Sequence, residues 1–418
     1  VIDSAEVKRL GREAGFGAVR ICSADDLEPE GQRYQDWISA GRQSEMRWIT
    51  MEYARRSSSP RTILPGARSV ISVALAYWGG TRPEDGALRG RIARYAWGAD
   101  YHRVLGERLR AFSDAVHAQA GAEHRCFVDT GPAMDKAFAA RSGVGWQGKN
   151  TNILTTHFGS FVLLGEILTT LALSPDRPLT VGCGSCRLCI VACPTGALGP
   201  EYSIDSRRCI SYLTIEHRGS IPRALRPAIG QWVFGCDICQ DVCPPSAKAF
   251  HQSAEERRAW AAGVRSALRP EESHAEPQTL LPRAARATVS GPLYSGAIRP
   301  SVDLLWLLSL SHEEYVTEFR GTAIRRAKVW MLRRNAAIAL GNVGDGSCVS
   351  GLTRAAREDE HPVVRGHAAW ALGQVAARTG GAVVAAILRE LLQAEDDMSV
   401  IEEIGSALDA AGRRPSSG

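Results

Sequence analysis

The amino-acid sequence predicts an α+β multidomain protein in three parts: an α/β domain, a small cysteine-rich module and a tail of stacked helices. Three observations carry this. Apolar β-prone runs alternate with helical stretches through the first 175 or so residues. Eight of the eleven cysteines fall between Cys183 and Cys243, and a pattern in the tail returns 32 residues later. At 418 residues, 44% of them hydrophobic and 23% charged, the chain can bury several cores and has an ordinary globular composition.

In the first segment, residues 1–175, the runs Ser69 to Tyr77 and Phe161 to Leu164 predict strands, while Leu105 to Gln119 and Asp135 to Arg141 predict helices. The longest apolar stretch, Phe161 to Leu173, is too short to cross a membrane and is interrupted by Glu166, so no membrane association is expected. The N-terminal Val-Ile-Asp-Ser-Ala-Glu has no basic region, apolar core or twin-arginine pair. The expected location is cytoplasmic.

Residues 176–250 form the cysteine-rich module. Its first array, Cys183-x2-Cys186-x2-Cys189-x3-Cys193-Pro194, has the spacing of bacterial ferredoxins, in which three thiolates hold one [4Fe–4S] cube and the fourth reaches a second. The second array is Cys209 followed by Cys236-x2-Cys239-x3-Cys243-Pro244. Zinc sites use two separated Cys-x2-Cys pairs, and disulfide frameworks belong to short secreted chains. A ferredoxin-like two-cluster module, moving electrons one at a time, is the reading that remains. Cys209 lies 27 residues before Cys236, as a looped-out ligand compatible with two sets of four. Cys22, Cys126 and Cys348 stand alone and are expected to be reduced and structural.

Residues 251–300 are rich in Pro, Ala, Arg and Ser and read as a linker or insertion. From 301 to 418 the chain is helical and repetitive. Asn335-Ala-Ala-Ile-Ala-Leu-Gly-Asn-Val-Gly344 is echoed by His367-Ala-Ala-Trp-Ala-Leu-Gly-Gln-Val-Ala376 and, faintly, by Glu403 to Leu408. This period suits stacked helix pairs of the HEAT type. Ahead of the repeats, Arg320, Arg325, Arg326, Lys328, Arg333 and Arg334 set six positive charges against one acid, Glu318, in a chain of net charge +5. Arg forks suit phosphate oxygens, so this segment is a candidate nucleic-acid contact; a solvated helix face is the competing reading.

Three further segments carry candidate chemistry. Gly143-Val-Gly-Trp-Gln-Gly-Lys-Asn150 resembles both a dinucleotide fingerprint and a P-loop, but a predicted helix precedes it where each needs a strand, and Asn150 stands where a P-loop needs Ser or Thr. ATP and NAD are therefore excluded as primary ligands. Phe127-Val-Asp129-Thr-Gly-Pro132 puts a carboxyl at the end of a short strand, where a general acid or a turn residue would sit. Arg94-Tyr-Ala-Trp-Gly-Ala-Asp-Tyr-His102 is dense in polar and aromatic groups, with no second histidine at metal-ligand spacing.

Taken in order, Arg94 to His102, Val128-Asp-Thr-Gly-Pro132, Gly145-Trp-Gln-Gly-Lys-Asn150, the eight cysteines and Phe319-Arg-Gly-Thr-Ala-Ile-Arg-Arg326 resemble the epoxyqueuosine reductases, cobalamin-dependent iron–sulfur enzymes of tRNA modification. The resemblance covers nearly the whole chain outside 251–300, which is longer here than the family usually has. It implies an α/β cobalamin-binding domain, a two-cluster module and a tRNA-binding HEAT-like tail. It implies electrons passing through two [4Fe–4S] clusters to cobalamin, and reduction of epoxyqueuosine to queuosine at the tRNA wobble position. Asp129 matches the family's proton donor.

Matched to the family pattern, Cys183, Cys186, Cys189 and Cys243 hold one cluster, and Cys193, Cys209, Cys236 and Cys239 the other. Corrinoid contacts are implied at Asp100, Tyr101, Asp129, Lys149, Asn150, Ile153, Ser211 and Asp237. Arg325, Arg326, Lys328, Arg333 and Arg334 would grip phosphates of the anticodon stem-loop. The expected protein is a monomer served by an external electron donor. It departs from the family at Ser57, where an arginine is common.

The chemistry agrees with that picture: deoxygenating an epoxide without hydride takes two low-potential electrons and a proton at oxygen, and the base must be splayed from its loop. Two rivals are a corrinoid reductive dehalogenase-like enzyme, which would carry an export signal and need no RNA-binding tail, and a non-catalytic electron-transfer subunit, which would leave the Asp129 segment unemployed.

Overall fold

The run Ser69–Ala76 is apolar on both faces because both faces are covered. It is the second of nine strands among the described residues of the computed structural model, which comprise residues 2–80, 82, 86, 88–118, 120–250 and 298–412. These are β1 (Ala18–Ser23), β2 (Ser69–Ala76), β3 (Arg89–Ile92), β4 (His124–Phe127), β5 (Trp146–Gln147), β6 (Ile153–Leu154), β7 (Val162–Thr169), β8 (Trp232–Phe234) and β9 (Ser301–Asp303). The expected linker at 251–300 lies, apart from its last three residues, outside the described residues.

The chain divides into two compact units that interleave along the sequence. One comprises 2–80, 98–207 and 237–250; the other comprises 88–97, 208–236 and 298–412. The first is built on an antiparallel sheet of order β1-β2-β7-β4. Phe138, from the helix Asp135–Ser142, packs with Val70 and Leu168, whereas Gly165, paired with Val73, faces Leu109 of the helix Tyr101–His117. Side chains alternate along a strand, so the two helices cover opposite faces. Leu105, Leu109, Phe112 and Val116 recur at helical spacing and are all buried.

Strand β7 outruns the expected Phe161 to Leu164, continuing through Glu166 to Thr169. The acid does not end it because β7 is paired on both sides, with Glu166 opposite Ser72 in β2 and opposite Phe127 in β4. Glu166 therefore lies on the face covered by the helix Asp135–Ser142. In the cysteine module, the short helices Leu188–Ala192 and Ile238–Asp241 pack together.

In the second unit, β3 runs parallel to β8 and antiparallel to β9. Its helices Val329–Val343, Pro362–Thr379 and Met398–Ala411 stack in succession. The repeated Ala-Leu-Gly explains the close approach. A Cβ on Gly341 would lie 2.3 Å from Trp370, and one on Gly373 would lie 2.8 Å from the Ala407 backbone. At the faint third echo the corresponding residue is Asp409, which is exposed and receives no further helix among the described residues. No helix of the described residues is long and apolar enough to cross a membrane.

Candidate active site and cluster centre

No disulfide joins any of the eleven cysteines, and Cys22 and Cys348 are buried. Cys183, Cys186 and Cys189, with Cys243 from 54 residues further on, line one cavity of about 190 Å³ with Trp146, Lys149, Asn150, Leu154 and the two prolines after Cys243. Burial pushes the Cys189 thiol up to about 11 and the Cys243 thiol up to about 12, and the neighbouring thiols add to both. Ligation requires the thiolate, so a bound cationic centre must supply the stabilisation that water does not.

The glycine-rich segment serves this cavity. Its predicted preceding helix is present as Asp135–Ser142, and Gly143 closes it with φ +81°. Trp146 and Gln147 pair with Leu154 and Ile153 in a small hairpin. Gly145 is required because a Cβ there would lie 2.4 Å from the Leu154 carbonyl oxygen. The close approach that demands glycine is thus to the protein's own backbone. Lys149 donates from Nζ to the Gly184 carbonyl at 2.8 Å and pairs with Glu201 at 3.1 Å, tying the hairpin to the loop between Cys183 and Cys186. Asn150 Nδ2 donates to the Cys239 carbonyl at 3.3 Å. Lys149 and Asn150, expected as corrinoid contacts, are thereby engaged with the cysteine module; Ile153 is buried in the hairpin. The indole Nε1 of Trp146 is out of solvent and has no hydrogen-bond acceptor among the described residues. Four converging thiols and an orphaned N–H donor make a lining that fits an iron–sulfur cluster.

Of the other four cysteines, Cys193 and Cys239 lie in the first unit and Cys209 and Cys236 in the second. Cys193 Sγ accepts from the Ala197 N–H at 3.3 Å, and the Cys209 carbonyl accepts the first bond of the helix Ile210–Ile215. Ser211 is half-buried in that helix. Asp237 is fully buried at the start of the helix Ile238–Asp241, where it accepts from Gln240.

Asp129 borders a second cavity, of about 410 Å³, with Tyr34, Tyr53, Ser57, Tyr101, Asp135 and the apolar edge Val162 to Leu164 of β7. Its backbone is left-handed, φ +50°, a conformation aspartate tolerates better than most residues. The side chain is 66% exposed. The Tyr101 hydroxyl donates to Asp129 Oδ2, and His102 Nε2 stands 3.8 Å from the same oxygen. Asp100 caps the helix Tyr101–His117 and holds His102 Nδ1 at 2.8 Å. Burial works against the Asp100 carboxylate, but hydrogen bonds from the His102 ring and backbone outweigh it and keep its pKa below the usual value. The cavity wall offers apolar β7 side chains beside tyrosine hydroxyls and a carboxyl, a lining that fits one face of a corrinoid.

Ser57, at a position where the family often has an arginine, turns its hydroxyl back to the Tyr53 carbonyl at 2.7 Å and so brings no positive charge to this wall. The Tyr53 hydroxyl in turn donates to the Gly131 carbonyl at 2.5 Å.

Two acids beneath Asp129 were not singled out as functional from sequence. Asp135 Oδ2 accepts the Asp129 backbone N–H at 3.1 Å. Glu166 is fully buried, and its carboxyl oxygens find no N–H donor. Burial, reinforced by the nearby Asp129 charge, raises Asp135 to about 6. Burial and the adjacent Asp135 charge raise Glu166 well above the usual carboxyl value. Two carboxyls so placed share a proton rather than both ionising. The sequence signal is a single acid inside an apolar run, which taken alone argues only against a membrane span.

The basic segment separates into two kinds of residue. Arg320, Arg325, Arg326 and Lys328 are exposed. Arg325 lies over the Tyr315 ring at 4.8 Å, and Arg326 pairs with Glu216 at 2.7 Å. Arg334, expected at a phosphate, is instead completely buried. Its guanidinium donates to the carbonyls of Leu213, His217 and Gly219, so it is not available on the surface. Arg333 is mostly buried, donating to the Leu310 carbonyl and pairing with Asp359 at 3.1 Å.

A thiol-lined cavity beside a glycine-rich hairpin, in a chain with a helical-repeat tail, defines an iron–sulfur protein. Residues 182–246 match the 4Fe-4S double cluster binding domain family, 57–130 match the family described as "Epoxyqueuosine reductase QueG, DUF1730", and 317–409 match HEAT repeats. The chain is 37% identical to an epoxyqueuosine reductase of Synechococcus sp. (strain CC9605) over 349 residues, covering 80% of this chain and 94% of the relative. It is 35% identical to the Escherichia coli (strain K12) enzyme of that name over 385 residues, 91% of each chain. A crystal structure of epoxyqueuosine reductase with an epoxyqueuosine-modified tRNA-Tyr stem loop superposes with a TM-score of 0.80 at 30% identity, covering 98% of both chains. The chain belongs to the epoxyqueuosine reductase family and is an oxidoreductase.

Proposed function

We propose that this protein reduces epoxyqueuosine to queuosine at the wobble position of tRNA, with Asp129 protonating the departing epoxide oxygen. The observation that carries the reading is Asp129 itself: an exposed carboxyl on a 410 Å³ cavity, its backbone held by Asp135 and its Oδ2 by Tyr101, in a chain of this family. A carboxyl so fixed has one oxygen bonded to Tyr101 while the side chain stays 66% exposed at the rim of the cavity, the access a general acid needs. Cobalamin and two [4Fe–4S] clusters, when bound, would supply the low-potential electrons.

The chain's own residues hold these groups. Cys183, Cys186, Cys189 and Cys243 take one cluster, and Cys193, Cys209, Cys236 and Cys239 the other, as thiolate spacing within 182–246 supports. Asp100, Tyr101, Asp129, Lys149, Asn150, Ile153, Ser211 and Asp237 are assigned to the corrinoid by the family pattern. Exposed Arg325, Arg326 and Lys328 take tRNA phosphates. Functionally, 1–175 is the corrinoid domain, 176–250 the cluster module and 301–418 the RNA-binding repeats. The working form is a cytoplasmic monomer fed by an external donor.

The test is anaerobic reconstitution with cobalamin and iron–sulfur clusters, followed by incubation with epoxyqueuosine-containing stem-loop RNA and mass spectrometry of its nucleosides. Queuosine is expected, and Asp129→Asn should abolish it while retaining clusters and corrinoid. Absence of queuosine from protein with full clusters and bound corrinoid would sink the proposal.

A further inference from the structure

We propose that Trp146 donates its indole N–H to a sulfur of the cluster held by Cys183, Cys186, Cys189 and Cys243, and so raises the reduction potential of that cluster relative to its partner. This rests on the reading above that these four thiolates share one cluster.

Indole is a donor only, and a buried donor is almost always paired. Trp146 Nε1 is shielded from solvent and has no acceptor among the described residues, yet its side chain walls the cavity that the four thiols enclose. The residue is held there rigidly. Trp146 is paired with Leu154 across the hairpin, Gly145 packs against the Leu154 carbonyl with no room for a side chain, and Lys149 and Asn150 anchor the turn to Gly184 and Cys239. A buried, unpaired donor on a residue that walls a sulfur-rich cavity needs an acceptor, and the sulfur of a bound cluster or its thiolates is the acceptor that chemistry supplies there.

The electronic consequence follows from charge. The reduced cluster is the more negative state, so a hydrogen bond to its sulfur stabilises it more than the oxidised state and raises the potential. The buried Lys149 ammonium acts in the same sense, but it is already committed to Gly184 and Glu201.

The test uses full-length protein reconstituted anaerobically and titrated by electron paramagnetic resonance. Trp146→Phe should retain the iron content of both clusters. At the wild-type midpoint of one cluster, its reduced-to-oxidised ratio should fall roughly tenfold, a shift of about 59 mV for one electron, with the other cluster unmoved. Trp146→His, which keeps an N–H donor, should recover part of the shift. Pulsed resonance on wild-type protein labelled with 15N-tryptophan should show an indole coupling to the reduced cluster, independent of whether any variant folds. Unchanged potentials in a fully loaded Trp146→Phe protein, or no indole coupling in the wild type, overturns the inference. Should Cys183→Ser leave the iron content untouched, it is the cluster assignment itself that fails, and the inference with it.

Discussion

The backbone N–H of Asp129 donates to Oδ2 of Asp135 at 3.1 Å, spanning the turn that contains Gly131. The carboxyl that would deliver a proton is thus positioned by a second carboxyl, which starts the helix Asp135–Ser142 and lies against a third, Glu166. The bond holds Asp129 in its left-handed conformation.

Removing the acceptor should therefore impair turnover more than RNA binding. Asp135→Ala is expected to lower kcat about tenfold with little change in KM, the loss of one bond of about 1.4 kcal/mol. Asp135→Asn keeps an acceptor oxygen and should retain most of the activity. Steady-state kinetics on stem-loop RNA distinguish the two.

The same pair makes stability fall with rising pH. Both carboxyls bind protons more tightly folded than unfolded. Their contribution is complete below the ordinary carboxyl value of 3.8, and it is lost as pH rises through about 6 for Asp135 and further for Glu166. Asp100, whose pKa is lowered, acts in the opposite sense, so the comparison must be with a variant. Glu166→Gln should show a higher Tm than wild type at pH 8, and the difference should shrink towards pH 5. Thermal unfolding across that range checks the sign.

The repeat glycines should respond unequally to the same substitution. Gly373→Ala drives a Cβ to 2.8 Å from the Ala407 backbone and should cost about 1–3 kcal/mol. Gly405 faces open space within its helix, and Gly405→Ala should stabilise by about 0.5–1 kcal/mol. Denaturant unfolding of both variants measures this.

The arginines should divide in the same way. Arg334→Ala leaves the Leu213, His217 and Gly219 carbonyls short of a donor and should destabilise by about 3 kcal/mol. Arg325→Ala should leave the Tm near wild type, weaken RNA binding and reduce the slope of log affinity against log salt by about 1. Calorimetry and salt-dependent binding assays separate structural from contacting arginines.

The cysteine-rich module, the repeat period and the helix ahead of the glycine-rich loop were legible in the sequence because each depends on neighbours in the chain. The cysteine spacing is a local pattern that matches a double-cluster domain, and Ala-Leu-Gly recurs because each helix meets the next through the same face. Asp129 was visible as an acid at a strand end, though not its left-handed backbone or its bond to Asp135.

What the sequence could not show was which polar groups would be left facing protein rather than water. Arg334 and Arg325 read alike in a basic run, yet one is sealed among carbonyls and the other is exposed. Glu166 meets Asp135 because β7 pairs antiparallel with β4 and the helix Asp135–Ser142 covers that face of the sheet. Trp146 reads as one more aromatic residue from the sequence, and only the fold sets it on the wall of the cavity that Cys183 and Cys243 line, with its N–H buried and unpaired. Local chemistry is written in order along the chain, but desolvation depends on segments brought together from afar, and desolvation is what turns an acid, an indole or a guanidinium into a part of the site or of the core.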